Sequence, residues 1–335
     1  MFSLDRYTAL RHGAGLLDRS SRGRLSLTGR DRRAYLQGLL TNDIVALKSG
    51  TGCHAAYLTA QGRMIADMRV FELGAALLVD MVGSVTATVQ EKWEQFIFSE
   101  EVQITNFSTG TAQLGVYGPK AATVTEAALG TTDLQAMVVN ANRTVEFDGA
   151  SAIVLRSDDL GIKGFDIVIP AEHRVALAAR LRSAGAMDVG VEAAEVLRIE
   201  AGRPLFHVDM DEQTIPLEAG IEDRVISLTK GCYVGQEIII RMLHRGHGRV
   251  AKRLMGLNFE PEAAVPARGD RLRSGDRDVG AVTSAVSSPA LGRPIALGYL
   301  HRDFLEPGTA VQVNDAVARV TALPFLTIPE QGPEP

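Results

Sequence analysis

Cysteine is scarce in this chain, with only Cys53 and Cys232 among 335 residues. Two distant thiols cannot make the disulfide framework that small secreted domains rely on, so a reducing, cytoplasmic setting is expected. Cationic excess is missing as well: 35 Lys and Arg face 40 Asp and Glu, a formal net charge of -5. That balance argues against a chain built as a whole to coat nucleic acid, because phosphate binding needs clustered cations that displace counterions. Met1 to Arg11 carries three charged side chains and no long apolar run, which speaks against a secretory signal or a membrane span there. There is no Gly-x-Gly-x-x-Gly phosphate loop, no Walker motif, no Ser-centred elbow, and no repeat or low-complexity tract.

What is present suffices for real cores. At 335 residues and 46% hydrophobic content, two or three domains are expected. Arg24 to Thr28 alternates as a short strand, and Asp31 to Leu40 then sets Tyr35, Leu36, Leu39 and Leu40 at helical spacing. His54 to Ala60 and Met64 to Leu73 read as two strands joined by a turn at Gln61-Gly62, with Ala75 to Met81 as a third, an antiparallel meander. Ser84 opens a helix whose Val85, Val89, Trp93 and Phe96 to Phe98 mark a buried stripe, and Val102 to Phe107 returns as a strand. Strands follow at Gln113 to Tyr117, Ala152 to Leu155 and Phe165 to Ile169, with helices at Ala121 to Leu129, Glu172 to Ala184 and Glu192 to Ala201. Strands and helices mix without strict alternation, which favours α+β layers. Beyond a boundary at Arg249 to Leu254, regular Gly and Pro punctuation of short apolar runs suggests an all-β module. The tail after Pro324 is rich in Pro and Glu and is expected to be loosely ordered.

The densest chemistry lies at Lys230-Gly231-Cys232-Tyr233-Val234-Gly235-Gln236-Glu237, followed by a helix to His244 with Ile238, Ile239, Ile240, Met242 and Leu243. A cysteine between a lysine and a helix start is biased towards thiolate, hence towards nucleophilic, redox or metal chemistry. The alternative is a buried structural thiol, the commoner state of free cysteine. Arg241, Arg245, Arg249, Lys252 and Arg253 lie within thirteen residues free of acid, a local positive field suited to an anionic tail or an acidic partner. His244 and His247 join Cys232 as conceivable soft ligands, but the spacing matches no closed zinc site and no resident metal is expected.

Two carboxylates stand out. Glu200 borders the apolar face of its helix, where it needs a partner: either Arg203 or a loop, or a flat heterocycle offering two adjacent N-H donors. Asp67 shares a strand face with Ile65 and Arg69 and reads as a solvated pair or as a site residue. Asp209, Asp211 and Glu212 lack the glycine and distal glutamate of a calcium loop. Cys53, at a strand start, reads as a small buried residue.

The eight-residue signature, with Arg241, His244 and Gly246, resembles the YgfZ family of folate-binding proteins, relatives of the glycine-cleavage aminomethyltransferase or T-protein. Leu197-Arg198-Ile199-Glu200-Ala201-Gly202, the run from Asp209 to Ala219, Gln37-Gly38-Leu39-Leu40-Thr41-Asn42-Asp43 and Gln61-Gly62-Arg63 look like the core shared by both branches. The resemblance implies two interleaved α+β domains around a central folate cavity, spanning 1–248 with the second unit at about 51–111, then a β-barrel over 249–325 and a loose tail at 326–335. It implies tetrahydrofolate or a derivative as cofactor. Glu200 would hold the pterin and Asp67 would stand near the folate nitrogens. Lys230 and Tyr233 of the signature, with Arg241 for the glutamate tail, would complete the folate set. Asp209 to Glu212 would support the cavity wall. The function implied is an accessory role in iron-sulfur cluster assembly or repair, with Cys232 as the reactive group. Its partners would be assembly proteins or client enzymes, and tRNA modification would be affected indirectly, without direct nucleic-acid binding. The runner-up is an aminomethyltransferase that passes a one-carbon unit from a lipoyl-bound donor to tetrahydrofolate.

Overall fold

The structure, a computed structural model, describes residues 2–244 and 249–327. Its elements in chain order are α1 (Leu4–His12), β1 (Gly15–Asp18), β2 (Gly23–Thr28), α2 (Arg32–Leu39), β3 (Gly52–Leu58), β4 (Met64–Glu72), β5 (Leu77–Met81), α3 (Thr86–Glu94), β6 (Gln103–Asn106) and β7 (Thr111–Tyr117). Then come α4 (Ala121–Leu129), β8 (Asn142–Phe147), β9 (Ala150–Ser157), β10 (Gly164–Pro170), α5 (Arg174–Ser183), β11 (Met187–Asp188), α6 (Val191–Glu200), α7 (Pro216–Ala219), α8 (Glu222–Val225) and α9 (Gln236–His244). The last part is all strand apart from a short 3-10 turn: β12 (Lys252–Phe259), β13 (Arg271–Ser274), β14 (Arg277–Ser288), β15 (Arg293–His301), β16 (Ala310–Val313) and β17 (Ala316–Thr321).

These elements form an α+β fold with two sheets and a barrel. One sheet has the order β11-β1-β7-β10-β9-β8, and the second has the order β3-β4-β5-β2-β6. All five strands of the second sheet fall in sequence between β1 and β7 of the first, so the two units are interleaved. Because β2 belongs to it, this second unit takes chain from residue 23 onward, earlier than the 51 expected. The barrel closes in the order β12-β15-β14-β13-β16-β17, with β17 pairing back to β12, so it leaves no sheet edge open.

The cores follow from the pattern of side chains. Leu25, Leu36, Met68, Trp93, Tyr233 and Ile239 pack α2, α3 and α9 against the second sheet. Val116, Phe165, Ile167 and Leu177 fill the first unit, and Leu257, Phe259, Leu272 and Val320 fill the barrel. The expected stripe of the third helix is shorter than its sequence suggests: α3 stops at Glu94, Val89 and Trp93 are buried, and Phe96 and Phe98 are exposed. The tail also differs from expectation where it is described. Phe325 and Leu326 donate their N–H groups to Glu200 O at 3.0 and 3.2 Å, carbonyl capacity left over at the end of α6. The rest of the expected loose tail, from 328, lies outside the described residues. No helix among the described residues is long and apolar enough to cross a membrane.

Candidate functional site: a charged cleft between the two sheets

A cleft of about 420 Å³ opens where both sheets meet α6. The hairpin β3-β4 supplies its floor. Register pairs Ala56 with Asp67 and His54 with Arg69, so the period-two pleat puts His54, Asp67 and Arg69 on one face. Asp67 and Arg69 thus share a side as the alternation indicates, but the face looks into the cleft, and Arg69 is only 3% exposed. His54 Nε2 lies 2.9 Å from Asp67 Oδ2. Its Nδ1 is buried and has no hydrogen-bond partner among the described residues.

Electrostatics fix the protonation of this pair. Burial depresses the pKa of His54, against the opposing pull of Asp67, and the ring is held neutral. Burial works to raise Asp67, but the hydrogen bond from His54, with the charges of Arg22 and Arg69, outweighs it and holds the carboxyl below its ordinary value. The cleft therefore presents an ionised aspartate beside a neutral imidazole.

Around this pair runs a wall of guanidinium groups held from behind. Arg69 donates to Ser157 Oγ at 2.8 Å and pairs with Asp159, and Arg22 pairs with Asp80 at 2.7 Å. Arg19 bridges Asp159 and Asp166 at 2.6 and 2.9 Å. Asp158 gathers Arg203 at 2.7 Å and Arg224 at 3.1 Å; burial opposes its ionisation, yet these arginines and Arg69 bring its pKa down to about 2. From α6, Glu195 and Arg198 line the other side, joined at 2.8 Å. Arg198 continues to Asp209 at 2.7 Å and Ser284 at 2.9 Å, tying the cleft wall to the barrel. Asp209 thus supports the wall from behind.

Glu200 is placed elsewhere. It is 1% exposed and is not part of the cleft lining. Tyr7 donates its hydroxyl to both carboxylate oxygens at 3.0 Å, and Ser288 of β14 donates to Oε1 at 2.5 Å. Burial raises its pKa. Its carboxylate joins α1, α6 and the barrel, a partnership the sequence does not reveal, since Tyr7 and Ser288 lie far away in the chain.

The signature loop is chiefly scaffolding. Lys230 is 8% exposed, and its ammonium donates to the carbonyls of Gln37 and Leu40 at 2.5 Å and of Asn42 at 3.1 Å, satisfying acceptors at and beyond the end of α2. It also lies 5.1 Å from the Tyr233 ring, and burial lowers its pKa to about 8. The ammonium that was expected to activate Cys232 is thus spent on backbone. Tyr233 packs in the core. Gly235 has φ 85°, and a Cβ there would stand 2.5 Å from Thr59 O, so this glycine lets the start of α9 dock on the β3-β4 turn. Cys232 alone among Lys230, Cys232 and Tyr233 is exposed. It is not among the residues lining the cleft, and neither are Lys230, Tyr233 and Arg241.

The basic field disperses in the same way. Arg241 pairs with Glu237 one turn earlier at 2.5 Å on the solvent face, Arg253 pairs with Glu222 at 2.9 Å, and Lys252 lies over the Tyr299 ring. Arg245, Gly246 and His247 lie outside the described residues. Cys53 is partly buried, and burial pushes its pKa up to about 12 against the charge of Lys230, so this thiol stays protonated.

Residues 3–230 match the family model described as the GCVT N-terminal domain, and residues 252–326 match the glycine cleavage T-protein C-terminal barrel domain. The stretch 231–251, with Cys232 and α9, falls between the two matches. An aminomethyltransferase of Rubrobacter xylanophilus is 32% identical over an aligned length of 334, covering 98% of this chain and 87% of that one. The aminomethyltransferase of Thermosynechococcus vestitus is 30% identical over 96% of this chain and 86% of its own length. The crystal structure of glycine cleavage system aminomethyltransferase T from Bartonella henselae superposes with a TM-score of 0.86 at 24% identity, covering 97% of this chain and 89% of that one, a likeness of fold. These relatives are named for aminomethyl transfer, not for a role in iron-sulfur cluster assembly.

Proposed function

We propose, from the premise that this chain belongs to the glycine-cleavage T-protein family, that its cleft binds tetrahydrofolate and serves aminomethyl transfer from a lipoyl-bound donor. The observation that carries this reading is an ionised Asp67, part-exposed in the cleft, with one oxygen already engaged by His54. The cleft residues suit such a ligand. At about 420 Å³ the volume falls within the ordinary range for small-molecule sites. Asp67 and Glu195 offer carboxylates to the N–H groups of a pterin, and Arg22, Arg203 and Arg224 offer cations to an anionic glutamate tail. Bound tetrahydrofolate would supply the nitrogens that receive the one-carbon unit. The role of the chain's own residues would be to orient the ligand, keep the Asp67 carboxylate charged and exclude water. Isothermal titration with tetrahydrofolate tests this directly: micromolar binding lost in Asp67→Asn supports it, and equal affinity in both proteins contradicts it.

A second reading, the YgfZ-type accessory role in iron-sulfur cluster assembly, is favoured by one specific observation. Cys232 is held to the surface by a loop whose neighbours Lys230 and Tyr233 are anchored in the fold, and aminomethyl transfer has no use for such a thiol. On this reading the partners are assembly proteins or client enzymes that reach Cys232 from solvent. Cluster-enzyme activity in cells carrying Cys232→Ala decides it.

A further inference from the structure

We propose that His54 is the positioning residue of the cleft: by donating Nε2–H to Asp67 Oδ2 it commits one carboxylate oxygen and turns the other, Oδ1, towards the ligand. This deepens the folate reading for its effect on binding, while the geometry of the pair stands independently of it.

The argument begins with the orphaned ring nitrogen. His54 Nδ1 is buried without a partner among the described residues. A proton on Nδ1 would therefore be a buried donor with no acceptor, which costs on the order of 1–3 kcal/mol. The ionised Asp67 can only accept, so the neutral tautomer with its proton on Nε2, the nitrogen 2.9 Å from Asp67, makes the hydrogen bond and leaves Nδ1 an unpaired acceptor instead of an unpaired donor. The same penalty weighs against the imidazolium, in which both nitrogens carry protons. The acceptor-only carboxylate in front of the ring and the absence of an acceptor behind it together favour one tautomer and set the direction of the hydrogen bond.

The surroundings keep the pair in this state. Arg69 on β4 and Arg224 on α8 face the ring and disfavour its protonation, whereas Asp67 favours it. Asp67 itself faces Arg22 from the β1-β2 turn and Arg69 on its own strand, and both favour the carboxylate. Asp158, after β9, sits among Arg69, Arg203 and Arg224 and neutralises part of their field. A neutral donor at Oδ2 can orient the carboxylate without cancelling its charge, which an arginine at the same place would do. Orientation of this kind matters because a site carboxylate left free to rotate loses geometry that binding relies on.

The test joins spectroscopy with two variants. Long-range 1H-15N NMR of the wild-type chain should show His54 as the neutral Nε2–H tautomer at pH 7. Carboxyl 13C titration should show the midpoint of Asp67 moved to higher pH in His54→Leu and restored towards wild type in His54→Gln, whose amide N–H can reach Oδ2. Tetrahydrofolate affinity at pH 6 should fall about tenfold in His54→Leu and recover in His54→Gln, the worth of one hydrogen bond to a charged group. An Nδ1–H tautomer, a charged imidazole at pH 7, or an Asp67 midpoint that ignores both variants overturns the assignment. A wild-type chain that binds no tetrahydrofolate would instead defeat the functional reading, and the two NMR measurements would still decide the role of His54.

Discussion

Tyr7 reaches across 193 positions of sequence to donate its hydroxyl to both oxygens of Glu200 at 3.0 Å. With Ser288 on the same carboxylate, this contact fastens α1 and α6 to the barrel. Replacing Glu200 with Gln keeps an acceptor for both hydroxyls, whereas Ala leaves them unpaired. Glu200→Ala should lower stability by about 2 kcal/mol in denaturant titrations, and both variants should bind tetrahydrofolate within about twofold of wild type. Burial raises the pKa of Glu200. The stability linked to its protonated form is present in acid and lost as pH rises through the folded value. Wild type should therefore lose ground to Glu200→Gln as the pH rises above the ordinary carboxylate range.

Asp158 gives the opposite pH dependence. Its pKa is lowered to about 2, with Arg224 and Arg203 outweighing burial. Its contribution is present above the ordinary carboxylate range and is lost as pH falls towards 2. Asp158→Asn strands partly buried guanidinium groups and should cost about 3 kcal/mol at pH 7. Urea melts of both proteins should converge as the pH is taken down towards 2.5.

The signature loop divides into members that hold the fold and one that does not. Lys230→Met removes donors from three backbone carbonyls and should destabilise by about 3 kcal/mol. Gly235→Ala places a Cβ against Thr59 O at a positive φ and should also destabilise measurably. Cys232→Ala should stay within about 0.5 kcal/mol of wild type, as exposed substitutions do. Thermal melts of the three variants check the division.

Thiol accessibility supplies a further check. Cys232 should react with a small maleimide in the native chain, while Cys53, half-buried and with its pKa at about 12, should not. Mass spectrometry before and after unfolding separates the two, and modification of Cys53 in the native state would contradict the fold around β3.

Much of the architecture was legible because local pattern and tertiary structure agree. The β3-β4 hairpin follows from alternation around Gln61-Gly62, where Gly62 takes φ 75°, and the barrel follows from Gly and Pro punctuation. The helix α1 was missed, since its sequence carries almost no amphipathic signal and it is fixed by packing Tyr7 and Leu10 on α6. The site was legible in part. Asp67 could be singled out, but His54 shares its face only through hairpin register, and Arg203, Arg224 and Asp158 meet only in the folded chain. The two glutamates of α6 show the limit most clearly. Glu195 and Glu200 are five residues apart, about 140° around the helix at 100° per residue, so one faces the cleft and the other the barrel. Periodicity alone cannot say which neighbour lies on which side.

The most direct measurement of the central claim is transfer of a one-carbon unit from an aminomethyl-lipoyl donor to tetrahydrofolate, compared across wild type, Asp67→Asn and Cys232→Ala. The cleft-centred account predicts turnover in wild type and Cys232→Ala, with a loss of at least about a hundredfold in Asp67→Asn. Turnover that survives in Asp67→Asn would contradict it. So would a wild-type chain that shows no transfer while Cys232→Ala alone lowers cluster-enzyme activity in cells.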